Sequence, residues 1–266
     1  MKTRVSLRFK YGLFVFLAVG LLVAASVNSQ VGREQSPIDI DSEAVVPAVL
    51  PELNFMYSTR VSLTVENEGP GEEFGTVKAF VPDGAATLKV GAEAFELDQF
   101  HWHIPSEHHL DGKELPMEMH LVHERFDATG DKKLLVVGVW IVAGKKPHRE
   151  LDKIFSALPA LKGEEKEVER FNLTKLLPDE LESFRYDGSL TTPEFGEGVQ
   201  WIVLKEPIKM SVKQIKAFKA LFPLSNDRDV QDINGRIVKT EMEDQDMDDE
   251  EEPDDEDDIE DDEDDD

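Results

Sequence analysis

The sequence predicts a mainly β fold of the α+β kind, a single domain with a large, mixed but mostly antiparallel sheet and short helices at its periphery. Three observations point there. Segments alternating apolar and polar residues with a period of two dominate the chain. They are rich in Val, Ile and aromatic residues, and turn signals such as "PDG", "LDGKELP" and "ATGDKK" separate them. Helical periodicity is confined to a few short stretches.

The elements follow in order. "VSLTV" (61–65) sets Val61, Leu63 and Val65 on one face, and "FGTVKAFV" (74–81) continues the pattern beyond a Gly-rich turn. "AFELDQFHWHI" (94–104) and "MEMHLVHE" (117–124) alternate apolar residues with histidines and carboxylates. "KLLVVGVWIVA" (133–143) and "GVQWIVLKE" (198–206) complete the strands. Helices are expected at "HRELDKIFSAL" (148–158) and "SVKQIKAFKALF" (211–222), the latter with Ser211 as N-cap, and in short pieces near 173–182. No internal repeat interrupts this series.

Charge divides the 266 residues into three parts. Residues 1–10 hold four basic residues and no acid, and residues 11–27 hold no charge; Ala24, Ala25 and Ser26 follow the apolar run. That order describes a signal peptide over 1–29, cleaved between Ala25 and Gln30, so the protein is expected to be secreted, extracellular or lumenal or periplasmic. The alternative is an uncleaved anchor, since about 17 apolar residues is the lower limit for a membrane span. Residues 241–266 hold 21 acidic residues and no basic one, so they supply most of the formal net charge of −28. Such a tail repels itself and buries too little apolar surface to order. Between them, 31–240 has the size and apolar content of a globular domain. It lacks the basic footprint of a nucleic-acid binder. There is no cysteine, so an exported domain would depend on its core and any bound metal. Asn172-Leu173-Thr174 is a glycosylation acceptor pattern.

Six of the seven histidines fall within "QFHWHIPSEHHLDGKELPMEMHLVHE" (99–124). They could be metal ligands, packed core residues or a solvated cluster. Residues two apart on a strand share a face and lie roughly 6.6 Å apart. Gln99, His101 and His103 therefore point one way, and Phe100 and Trp102 the other. On the next strand Glu118 and His120 share a face, opposite Met117, Met119 and Leu121. Two neighbouring strands can thus deliver three imidazoles, with Gln99 and Glu118 placed to accept the second ring N–H of His101 and His120. Three histidines with one open position is the arrangement of a catalytic zinc site rather than a structural one. His123 falls on the face opposite His120 and makes a poor fourth ligand; His108, His109 and His123 are read as structural or surface residues.

An ordered set of segments resembles the alpha-class carbonic anhydrases, in their compact plant and bacterial form. These are "QSPIDI" (35–40), the histidine block, "SLTTPEFGEGVQWIVL" (189–204) and "NGR" (234–236), which together run through nearly the whole domain. The resemblance implies a sheet of about ten strands, the upper end of the usual range, with zinc on it at the foot of a conical cavity. It implies Zn2+ ligands at His101, His103 and His120, with Gln99, Glu118 and, through its backbone, Asn234 as their partners. It makes Thr191 a hydroxyl that donates to Glu107 and accepts from zinc-bound hydroxide. Val122, Val136, Leu190 and Trp201, with Thr192 beside them, become the wall that holds carbon dioxide. The implied activity is reversible hydration of carbon dioxide to bicarbonate and a proton by attack of that hydroxide.

Some positions depart from the family. Pro70 falls where fast members carry a rim histidine that exports the proton, and proline cannot carry one. Glu194 and Phe195 stand where a proline and a cysteine are common, and the stretch before "QSPI" is short. The alternative reading is an inactive scaffold whose acidic tail binds calcium or carbonate mineral weakly; against calcium stands a purely solubilising tail. Neither pattern indicates an oligomeric state.

Overall fold

The computed structural model describes residues 32–69 and 75–242. Its first strands are β1 (Asp39–Ile40), β2 (Val46–Ala48), β3 (Leu53–Tyr57), β4 (Val61–Asn67), β5 (Val77–Phe80) and β6 (Ala86–Val90). The long central strands are β7 (Glu93–His103), β9 (Met117–Phe126) and β10 (Lys132–Gly144), with the short β8 (His109–Leu110) between the first two. Helix α1 (Asp152–Phe155), β11 (Glu165–Phe171), a 3-10 turn (Leu173–Leu176) and β12 (Ser183–Ser189) follow. The chain closes with β13 (Glu197–Ser211), α2 (Val212–Leu221) and β14 (Lys239–Glu241).

Twelve strands form one sheet, in the order β11-β4-β5-β7-β9-β10-β13-β12-β14-β2, with β6 also pairing to β7 and β3 to β6. The sheet is mixed as expected: β10–β13 and β14–β2 are parallel and the other pairs antiparallel. A parallel pair needs a long crossover, and residues 145–196 supply it between β10 and β13. β1 and β8 pair separately.

The period-two pattern becomes two layers. Phe100, Trp102, Met119, Leu121, Val137 and Val139 enter one core with Phe155 of α1 and Phe218 of α2. Trp102 is fully buried there, edge-on to Phe155 at 5.0 Å; truncating such a side chain costs about 3–5 kcal/mol. Val136, Trp140, Trp201 and Val203 face the other way, into a second core with Ile38, Ile40 and Tyr186. The histidine face of β7 and β9 looks toward this second layer.

Helix α2 begins as expected, with a capping box in which Ser211 and Gln214 satisfy each other's backbone N–H. The helix expected over 148–158 contracts to one turn: its N-cap Leu151 makes no side-chain cap, and Leu158 precedes Pro159, which disfavours helix. Near 173–182 only the 3-10 turn forms, because Leu177 is extended before Pro178. Pro70, the acidic tail from 243 and the N-terminal segment lie outside the described residues.

Candidate metal centre and its cavity

The register of the two histidine strands builds the site. His101 on β7 lies directly opposite His120 on β9, and His103 opposite Glu118. The same rung continues to Lys78 on β5 and to Gly138 on β10. The ring centroids of His101, His103 and His120 are 5.0, 5.4 and 4.6 Å apart, pair by pair. One nitrogen of each lies within 4.8 Å of the others, and all three residues are buried.

Outer hydrogen bonds select which nitrogen faces inward. His101 Nδ1 donates to Gln99 Oε1 at 2.9 Å, His103 Nδ1 to the Asn226 carbonyl at 2.9 Å, and His120 Nε2 to Glu118 Oε1 at 2.8 Å. A carbonyl or carboxylate oxygen only accepts, so these three nitrogens carry the protons. The lone pairs left over are His101 Nε2, His103 Nε2 and His120 Nδ1. His103 Nε2 is buried with no hydrogen-bond partner. Such an orphaned group costs about 1–3 kcal/mol, which a coordinated cation would offset. Burial holds all three imidazoles below their ordinary pKa, His103 at about 3, so they are neutral and ready to ligate at pH 7. Three neutral, oriented imidazoles suit zinc.

The structure corrects one expected partner. Asn234 sits in an exposed turn at φ +53, its side chain donating to Arg33 and Asp232 carbonyls. Asn226 orients His103 instead, and its own side chain is locked by Ile104 N, Gly75 O and Trp102 O. "NGR" serves elsewhere: Arg236 bonds to the Gln35 and Asp187 carbonyls and packs over Tyr186.

His108 is fully buried rather than on the surface. Its Nδ1 and backbone N–H both donate to Glu118 at 2.8 Å, so its Nε2 accepts from Tyr186 Oη at 2.6 Å. Tyr186 in turn accepts from Ser36, whose Oγ accepts from Ser189 N at 3.1 Å. The early "QSPI" segment and the end of β12 are thereby tied to His120 through Glu118. Glu118 accepts three hydrogen bonds; burial opposes its charge, but the His108 and His120 imidazoles outweigh burial and hold it below the usual carboxylate range. Gly138 is required beside it, since a Cβ there would lie 2.9 Å from Glu118 Oε1. His123, on the opposite face, is buried and accepts from Tyr57 at 2.6 Å; His109 is half-buried.

A cavity of about 220 Å³ opens above the imidazoles. Val122, Val136, Leu190 and Trp201 line it, as do Gln99, Thr191 and Thr192. Trp201 is fixed by donating Nε1 to the Ser189 carbonyl at 2.9 Å. Glu107 is fully buried beneath; its Oε1 accepts from Arg228 N at 2.9 Å. Burial raises its pKa well above the usual range, while the Thr191 hydroxyl and the Arg228 N–H favour its charged form. The Arg228 guanidinium also stacks at 3.8 Å over Phe195. Gln35 Nε2 donates to the Phe195 carbonyl. The Thr191 loop is thus pinned without a disulfide.

On this mixed sheet His101, His103 and His120 form a group that could hold a metal ion, with His101 and His120 lining the cavity, the arrangement an open site needs. Residues 24–242 match the eukaryotic-type carbonic anhydrase family, and the chain belongs to it. It is 36% identical over 207 residues to a carbonic anhydrase of Neisseria gonorrhoeae, covering 78% of this chain and 77% of that one. It is 37% identical to one from Nostoc sp., covering 79% and 76%. Among solved structures, the alpha-carbonic anhydrase of Thermovibrio ammonificans, in complex with the inhibitor sulfanilamide, superposes with a TM-score of 0.71 at 38% identity, over 79% of this chain and 88% of that one. Family and fold together make the chain an enzyme of the carbonic anhydrase kind. Nothing in these relatives supports calcium binding by an acidic tail.

Proposed function

We propose that the chain catalyses zinc-dependent, reversible hydration of carbon dioxide to bicarbonate and a proton, with His101, His103 and His120 holding the metal. One observation carries the reading: three imidazole lone pairs converge beneath an apolar wall, and the one on His103 has no protein partner. Zinc, when bound, supplies Lewis acidity that brings the acidity of a coordinated water to about neutral pH, a value known from carbonic anhydrases themselves.

The protein does the positioning. Gln99, Asn226 and Glu118 fix the tautomer and tilt of each ligand ring. Glu107 as a carboxylate can only accept, so Thr191 directs its proton there and leaves oxygen lone pairs to accept from the cavity side. That acceptance fixes the direction of attack. A divalent cation on the neighbouring imidazoles favours the charged form of Glu107 that this requires. Val122, Val136, Leu190 and Trp201 offer a dry surface to an apolar gas, with Thr192 at its edge. The oxygen of water ends in bicarbonate and its proton leaves for solvent. Export is part of the same reading, supported by the basic, apolar and small-residue order of 1–29.

Stopped-flow hydration of carbon dioxide tests it on zinc-loaded protein, chelator-treated protein and His120→Ala. Activity is expected in the first alone and should fall with added sulfonamide. Full activity after metal removal would overturn it.

A further inference from the structure

We infer that Lys78 draws small monovalent anions, bicarbonate among them, into the cavity, and that Glu68 throttles this attraction. The inference rests on the proposed reading of the cavity as the carbon dioxide and bicarbonate site.

Lys78 is the cross-strand neighbour of His101 on the rung that carries the ligands, and both side chains line the cavity. Directly opposed residues have Cβ atoms about 5 Å apart. The ammonium donates to Glu68 Oε1 at 2.7 Å, and both side chains are about one-third exposed or less. That contact takes one of three N–H donors.

The rest of the rim is acidic on balance. Asp98 lines the cavity, as does the ion pair of Lys132 and Glu124. Among the described residues, with Glu68 and Lys78, the mouth therefore holds three carboxylates and two ammonium groups. Carbon dioxide is indifferent to this field, but bicarbonate on its way to the metal must pass these carboxylates, and the Lys78 ammonium on the wall offsets part of their repulsion. The reaction's equilibrium ties kcat/KM in the two directions together, so Lys78 cannot favour one direction. Its effect falls on anion occupancy: the KM for bicarbonate and the affinity for unreactive anions.

Titration calorimetry of thiocyanate into zinc-loaded full-length protein at low ionic strength tests this. Lys78→Met should weaken binding about threefold to tenfold, and Glu68→Gln should tighten it about twofold to threefold, as expected for a unit charge several Å away in a partly hydrated cleft. Opposite signs distinguish a charge effect from a packing defect. Shifts in the same direction, or neither reaching twofold, would overturn the inference while leaving the carbon dioxide reading intact. Wild-type protein that takes up zinc but binds no thiocyanate would overturn the inference and the reading on which it rests.

Discussion

Replacing Glu118 with Gln exchanges one carboxylate oxygen for an NH2 group and tests how the metal site is organised. The carboxylate accepts three N–H groups at 2.8 Å: His120 Nε2, His108 Nδ1 and His108 backbone N. An amide has one oxygen and one NH2. If the oxygen stays with the imidazoles, the NH2 opposes the His108 backbone N–H; if it turns, both imidazoles face a donor. Either way a buried donor loses its partner, at about 1–3 kcal/mol. His120 also loses the negative charge that fixes its tautomer, and such outer partners are worth about 10–100-fold in metal affinity, or roughly 1.4–2.7 kcal/mol. Competition with a chromophoric chelator should therefore give a zinc Kd raised about 10–100-fold for Glu118→Gln. A Kd within twofold of wild type would refute the claim that this carboxylate organises the ligand ring.

Gly138→Ala should push on the same oxygen from β10, because the new methyl would lie 2.9 Å from it, and zinc affinity should fall about tenfold; unchanged affinity would show that the carboxylate moves aside freely. Tyr57→Phe strips the hydrogen bond from His123 Nε2 on the opposite face, so urea unfolding should report a loss of about 1–3 kcal/mol with no change in zinc affinity. Burial holds His123 at about 4 against an ordinary 6.5, so the unfolded chain takes up its proton first as pH falls. His123 alone then lowers stability by roughly 3 kcal/mol between pH 6.5 and 4, and a flat urea midpoint across that range would contradict it. On the family resemblance Pro70 replaces a proton-carrying histidine, and ordinary carboxylates near pKa 4.3 are poor proton acceptors at pH 7, so turnover should rise with imidazole buffer; independence from buffer would contradict that.

What the sequence reveals is what a strand's own alternation controls. Gln99, His101 and His103 share a face because the side-chain period is two, and so do Glu118 and His120. Strands β4, β5, β7, β9, β10 and β13 announce themselves by β-branched and aromatic alternation, whereas β3, β6, β11 and β12, of five to seven residues, do not stand out by it. The short strands β1, β2, β8 and β14 do not, since two or three residues carry no period and form only by pairing with distant segments. His108 looks like a loop histidine because its burial depends on Tyr186 and Ser36, both remote in the chain. Asn226 is invisible for a different reason: it orients His103 through a backbone carbonyl, which no side-chain motif encodes. The "NGR" motif drew attention to Asn234, eight positions too late.

X-ray absorption at the zinc edge, on protein with its metal content measured, bears most directly on the central claim. One zinc per chain with three nitrogen neighbours at about 2.0–2.1 Å and one further light neighbour is the expected result. A substoichiometric metal, or a shell completed by a fourth protein ligand, would contradict it.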